Sequence, residues 1–266
     1  MNPNIIFKKE NYRAYIILDK PEKLNALDMD MYREIGQLLK QVNRDPEVRV
    51  VIIKGNGKAF SSGFDIADEV DCGIMEEKAD IEDVCNQNRW DIWNLSKPVI
   101  AQVQGYCLAG ALELVLPCDY IIAADDAKMG LTAIKFGVVA SYLMMPWLVG
   151  IRKSKELLLT GERISGKEAA ECGLITKSVP LEDLESTVEE IAEKLIRISP
   201  PAMNLQKIQI NRTFEIMGMK AAIDSAADLC VFARAVQTDE VREFNKIVDE
   251  QGVKAALKWQ DEYFKR

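Results

Sequence analysis

An α/β fold running into an all-helical tail is what the sequence predicts. Runs rich in β-branched residues alternate with stretches of helical periodicity as far as about residue 180. Beyond that point the apolar residues keep helical spacing and no strand-like run returns. The length agrees: 266 residues, 48% of them hydrophobic, suit one α/β domain with an appendage and supply a sizeable core.

The first two elements, "NIIFKK" and "RAYIILD", read as strands joined by a hairpin. Asp28 is placed to cap a helix reaching about Val42, because Met31, Ile35, Leu38, Leu39 and Val42 share one face; "DPE" then breaks it. "VRVVIIKG" reads as a buried strand, and "NGKAFSSG" as a loop by its Gly, Asn and Ser content. Residues 76–95 carry a helical pattern, and "KPVIAQVQG" is a further strand behind a proline stop. The apolar stretch "GYCLAGALELVLPCDYIIAA" follows, with a short helix around Glu113 and a strand in "DYIIAA". Later, Leu184, Val188, Ile191, Leu195 and Ile198 are spaced 4, 3, 4 and 3, the rhythm of an amphipathic helix that "SPP" stops. Three or four helices remain, so a core of 1–195 is expected to precede a helical region of 196–266.

Composition excludes several functions. A net charge of -8 makes nucleic acid and anionic membrane poor partners. No uncharged apolar run reaches the roughly 18 residues of a membrane span. The segment "MNPNIIFKKENY" lacks the basic-then-apolar order of a signal peptide, so none is expected. Cysteines at 72, 85, 107, 118, 172 and 230 show no CxxC spacing and read as free thiols of a reducing, cytoplasmic setting. Histidine is absent. Its absence removes Ser-His-Asp and Cys-His nucleophiles and the commonest metal ligand, so no metal site is expected. Acid/base work falls to Asp, Glu, Lys, Tyr or Cys.

Two segments carry chemistry. "KAFSSGFDI" is a Gly-Ser loop after a buried strand, able to turn backbone N–H groups toward a ligand. In "QGYCLAGALEL", Ala109-Gly110-Ala111 opens a helix with residues small enough for close approach. Glu113 lies one turn further, near the same face. A carboxylate in so apolar a run is costly unless it is paired or protonated. It is therefore either a catalytic group or a structural one satisfied by a helix end or an arginine.

"KAFSSGFDI", followed about forty residues later by "KPVIAQVQGYCLAGALELVLPCDYIIAADDAKMG", resembles the enoyl-CoA hydratase/isomerase, or crotonase, superfamily. "PEKLNAL" and "LLLTGERISGKEAAECGLI" match it too, so the resemblance covers roughly residues 5–260. It implies a crotonase-like ββα spiral core with a helical C-terminal tail that assembles homotrimers, often paired as hexamers. It also implies an acyl-CoA thioester substrate, as in fatty acid metabolism, with no cofactor beyond the CoA the substrate brings. By position, the backbone N–H groups of Phe64 and Gly110 would hold the thioester oxygen as charge builds there; such donors are worth about 10²–10³ in rate each. Lys23, Leu24 and Ala26 would line the CoA groove, Ser62, Asp65, Ile66 and Ala67 would continue the substrate site, and Ala133 would face the acyl chain. Glu113 matches the first acid/base glutamate of the hydratases, and an apolar cleft would suit it to exchange protons near neutral pH.

One departure stands out. Hydratases carry a second glutamate in a segment reading roughly Phe-Gly-x-Pro-Glu, and Ala133 of "MGLTA" occupies that place here. Alanine cannot move a proton, so ordinary two-glutamate hydration is not expected. A single base still permits double-bond isomerisation, or hydration and dehydration of an easier substrate. Loss of CO₂ from a malonyl-type thioester is the alternative. Decarboxylases of the superfamily keep the first glutamate, lack the second and carry Thr near the position of Thr132, but often have His where this chain has Phe64. Asp68, Glu69, Tyr142 and Cys107 are candidates to replace the missing carboxylate, each with a packing or solvated role as the plainer reading; Asp65 is a candidate helix cap. A catalytically silent acyl-CoA binder is the reading from outside enzymology, and retention of Glu113 argues against it. An RNA-binding role fits the acidic balance poorly.

Overall fold

The structure, a computed structural model, describes residues 2–65, 74–236 and 238–264. In chain order the strands are β1 (Ile5–Glu10), β2 (Arg13–Leu18), β3 (Val50–Gly55), β4 (Val99–Val103), β5 (Tyr106–Leu108), β6 (Tyr120–Ala124), β7 (Lys128–Gly130), β8 (Ile164–Ser165) and β9 (Lys177–Val179). The main sheet runs β1-β2-β3-β4-β6-β9, parallel apart from the β1–β2 hairpin. β5, β7 and β8 form a small second sheet. Nearly every residue of β2, β3 and β4 is buried, which is why those strands read as continuous apolar runs and not as alternating ones.

Helix α1 (Met29–Arg44) is capped as expected: Asp28 Oδ1 accepts from the Met31 N–H at 2.8 Å. It lies against β1 and β2, whereas α7 (Leu181–Ile196) packs across β3, β4, β6 and β9. Between α1 and α7 in the chain come α2 (Ile74–Ala79), α3 (Gln87–Trp93) and α4 (Gly110–Val115), then α5 (Met145–Thr160) and α6 (Gly166–Glu171). The single helix expected at 76–95 is interrupted: Asp80–Asn86 forms a π-helical turn between α2 and α3. Such turns widen the helix locally and occur frequently at functional sites.

Four helices follow, namely α8 (Pro200–Ile216), α9 (Met219–Ala235), α10 (Asp239–Gln251) and α11 (Val253–Tyr263). They fold back on the core. On α8, Lys207 and Asn211 donate to the carbonyls of Ile92 and Trp93 at 3.1 and 2.8 Å. On α9, Ala227, Cys230 and Val231 bury against Ile81 of the π-turn, with Val138 and Val139 beside them. A Lys78–Asp228 ion pair at 2.6 Å ties α9 to α2.

Candidate active site

The loop after β3 is clamped by the segment "PEKLNAL". Ser62 N–H donates to Leu24 O at 3.0 Å, Leu27 N–H to Gly63 O at 2.8 Å, and Asp65 N–H to Leu27 O at 3.0 Å. Asn25 is buried and supplies the other side of the clamp, its Nδ2 donating to the carbonyls of Asn56 and Ala59 at 2.9 and 2.8 Å. The segment turns sharply there, with Leu24 and Asn25 at φ 52° and 54°. Of the expected groove residues, Ala26 is buried, Leu24 is exposed, and Ser62 lies part-way between. Lys23 and Lys20 both reach Asp65, each with Nζ–Oδ2 of 3.0 Å. Burial pushes the Asp65 carboxyl up, but these two ammonium groups outweigh it and hold it below the usual carboxylate value. The helix start that Asp65 was expected to cap, together with Ile66, Ala67, Asp68 and Glu69, lies outside the described residues.

Gly63 brings this loop against the turn between β5 and α4. At φ 102° it adopts a conformation that suits glycine, and a Cβ there would sit 2.8 Å from Leu108 O. Ser61 N–H donates to Tyr106 O at 2.9 Å, and Leu108 N–H returns to Ser61 O at 3.2 Å. Ala109 takes φ 47°, ψ -122°, a strained conformation for a residue with a side chain and one that costs about 1–3 kcal/mol. Two bonds hold it: its N–H donates to Gly130 O at 2.8 Å, and its carbonyl accepts from Glu113 N–H at 3.1 Å. Gly110 can have no side chain, since a Cβ would lie 2.5 Å from Phe64 Cε2. Neither the Phe64 nor the Gly110 N–H meets an acceptor among the described residues. Beneath both sits Tyr32, whose ring stacks on Phe64 at 5.3 Å and whose hydroxyl donates to Gly110 O at 3.2 Å.

Glu113 is 3% exposed and its α4 neighbours are buried too, but its surroundings are not the apolar cleft expected. Arg89 of α3, 0% exposed, places Nη2 2.7 Å from Glu113 Oε2. Ser141 Oγ donates to the same oxygen at 3.1 Å, and Tyr142 N–H donates to Oε1 at 3.1 Å. Arg89 Nη1 donates in turn to Asn86 Oδ1 at 2.6 Å and to Ser141 Oγ at 2.8 Å, and Asn86 Nδ2 reaches Ser141 O at 3.2 Å. The guanidinium lies 5.9 and 5.8 Å from the ring centres of Tyr32 and Tyr142. The physical reason for the difference is the penalty on an isolated buried charge, which a buried cation removes. Sequence reasoning missed Arg89, Asn86, Ser141 and Tyr32. One signal was present: Asn86 and Arg89 stand three apart, on one face of a helix otherwise filled by Cys85, Ile92 and Trp93.

The other candidates fall as follows. Ala133 lies in a 3₁₀ turn, Thr132–Phe136, and is not among the residues that meet the Glu113 carboxylate. Cys107 is core packing, its thiol pushed well up by burial. Burial also pushes the Tyr142 phenol far up, and its hydroxyl meets no hydrogen-bond partner among the described residues. Neither offers a base near neutral pH. Two grooves of about 320 and 280 Å³ lie elsewhere, one beside Lys97, Pro200 and Met203, the other beside Phe136, Val241 and Trp259.

The sequence pattern of the enoyl-CoA hydratase/isomerase family matches residues 8–260. The chain belongs to that family. It is 34% identical over 212 residues to the hydroxycinnamoyl-CoA hydratase-lyase of Pseudomonas fluorescens, covering 76% of each chain. It is 34% identical over 227 residues to the short-chain-enoyl-CoA hydratase of Clostridium acetobutylicum, covering 84% of this chain and 85% of the relative. The crystal structure of an enoyl-CoA hydratase/isomerase from Xanthobacter autotrophicus Py2 superposes with a TM-score of 0.90 at 31% identity, over 99% of both chains. The fold is thus crotonase-like, a mixed α/β core with a helical C-terminal stretch. Among the described residues, no helix is long and apolar enough to cross a membrane.

Proposed function

We propose that the protein stabilises the enolate of an acyl-CoA thioester and moves a proton with Glu113, in hydration, dehydration or double-bond isomerisation. The observation that carries this reading is the pair of N–H groups on Phe64 and Gly110 that meet no acceptor among the described residues, with Glu113 one helical turn beyond. Two backbone donors fixed by strained, crowded turns need no reorganisation when charge develops on an oxygen between them. Lys23, Leu24, Ala26, Ser62, Asp65, Ile66 and Ala67 form the CoA side of the site in this reading, with Ala133 toward the acyl chain. No cofactor beyond the CoA of the substrate takes part. The family membership and the hydratase names of the relatives support the chemistry. A homotrimer, alone or as a pair of trimers, is supported by the apolar surface of the 196–266 region. Ile216 of α8 is 86% exposed and Phe232 of α9 is 74% exposed, with Leu205 and Leu229 also bare. Free thiols at Cys85, Cys107, Cys118, Cys172 and Cys230 support a cytoplasmic setting.

The ion pair with Arg89 gives Glu113 a structural task as well, so its retention no longer argues by itself against a silent binder. Incubation with enoyl-, dienoyl-, 3-hydroxyacyl- and malonyl-type CoA thioesters, read by mass, separates the readings. A gain or loss of water, or an isomer of unchanged mass, is expected; loss of CO₂ would favour the decarboxylase. Glu113→Gln, checked for folding by circular dichroism, should keep CoA binding and lose about 10²–10⁴ in turnover. Near-normal turnover in that variant would leave Glu113 a structural residue.

A further inference from the structure

A carboxylate offers about four lone-pair positions. At Glu113 two accept hydrogen bonds, Oε2 from Ser141 Oγ and Oε1 from Tyr142 N–H, and Arg89 Nη2 lies 2.7 Å from Oε2 as its ion-pair partner. One position on Oε1 is left. We propose that Arg89 is a positioning residue that keeps Glu113 ionised through Oε2 and leaves the vacant lone pair of Oε1 for the reacting group. Glu113 is then a proton acceptor in the resting protein and has no proton to give.

The surroundings are built for that state. Arg89 cannot swing away, because Asn86 and Ser141 hold Nη1 and the rings of Tyr32 and Tyr142 flank the guanidinium. Asn86 is placed by the π-turn, whose last residue it is. Among the described residues, the titratable groups that face Glu113 are Arg89 of α3, Cys85 of the π-turn and Tyr32 of α1, while the phenol of Tyr142, from the loop before α5, lies against Arg89. Burial pushes the Cys85 thiol up to about 12 and the two phenols higher still, so Arg89 is the one charged neighbour through the neutral range. Among the described residues, no second carboxylate stands beside Glu113 to force a shared proton.

The consequence for the reaction rests on the proposed acyl-CoA chemistry. The Oε1 lone pair takes a proton from a carbon of the bound thioester. The C–H electron pair moves into the enolate, and the negative charge settles on the thioester oxygen facing the Phe64 and Gly110 N–H groups. Return of that proton to a different carbon completes an isomerisation and restores the Arg89–Glu113 pair. The site keeps the same net charge throughout. Loss of CO₂ would instead leave an enolate needing a proton that resting Glu113 does not hold, which separates this site from the decarboxylase alternative.

The test is an infrared titration of the unliganded protein, with Glu113 assigned from the wild-type minus Glu113→Gln difference. The wild type should show no protonated-carboxyl stretch from Glu113 at neutral pH, whereas Arg89→Met should show one and Arg89→Lys should restore the wild-type spectrum. A protonated Glu113 in the wild type at neutral pH overturns the proposal, even if Arg89→Met fails to fold. Identical titrations in wild type and Arg89→Met overturn it too. A separate arm measures butyryl-CoA binding and deuterium exchange at its α-carbon. If binding fails while the infrared result stands, the acyl-CoA reading is wrong and the Arg89 assignment survives.

Discussion

Replacing Arg89 by Met keeps a long unbranched side chain in the core and removes the charge. The protein then holds Glu113, 3% exposed, with no cation beside it. Breaking a buried pair by deleting one partner costs about 3–5 kcal/mol. The acceptors on Asn86 and Ser141 lose their donor as well, at about 1 kcal/mol each. A loss of about 5 kcal/mol is a large share of the roughly 5–15 kcal/mol typical of a folded protein. Glu113→Gln leaves the guanidinium unpaired and should cost a similar amount. The double variant Arg89→Met/Glu113→Gln buries no lone charge. It should be more stable than the sum of the single losses predicts by at least about 2 kcal/mol. Urea denaturation at one fixed protein concentration reads this, with midpoints compared at equal slope. Additivity within about 0.5 kcal/mol would refute the claim that the two side chains form one buried electrostatic unit.

Two further outcomes follow from the same geometry. Gly110→Ala puts a Cβ 2.5 Å from Phe64 Cε2 and must push the ring off Tyr32; we expect about 1–3 kcal/mol of destabilisation and at least about 10² in lost turnover, and a variant with full activity would contradict the crowding. Asp65 has a lowered carboxyl value: burial raises it, but Lys20 and Lys23 lower it further. Its stabilising effect is complete above the unfolded value of about 4 and is lost as pH falls through the lower folded value. Lys20 is the mirror case, with burial outweighed by Asp65 and Asp28, so its effect is complete below about 10.4 and fades as pH rises through the higher folded value. The stability gap between wild type and Asp65→Asn should therefore be constant in the neutral range and close below about pH 4. A gap unchanged at low pH would exclude the ion pairs.

Much of the core was legible because its signals are local. The buried strands β2, β3 and β4 announce themselves by β-branched content, and α1 by one apolar face and an Asp28 cap. The loop glycine Gly63 and the Gly110-to-Glu113 spacing were likewise visible, since each depends on residues within a turn of one another. The strands β5, β7 and β8 were not, because two or three residues carry no periodicity and form only by pairing with distant partners. The π-turn at Asp80–Asn86 hid inside a good helical pattern, which says nothing about one widened turn.

By itself, then, the sequence determined that a carboxylate would be buried at Glu113 one turn beyond a small-residue turn, and that no second glutamate would stand at Ala133. Tertiary structure alone decided what the carboxylate faces. Arg89, Ser141 and Tyr142 come to it from α3 and from the loop before α5, and no local pattern in any of these segments names Glu113 as the partner. A buried charge must find its counter-charge wherever packing leaves room, and that choice is made across elements far apart in the chain.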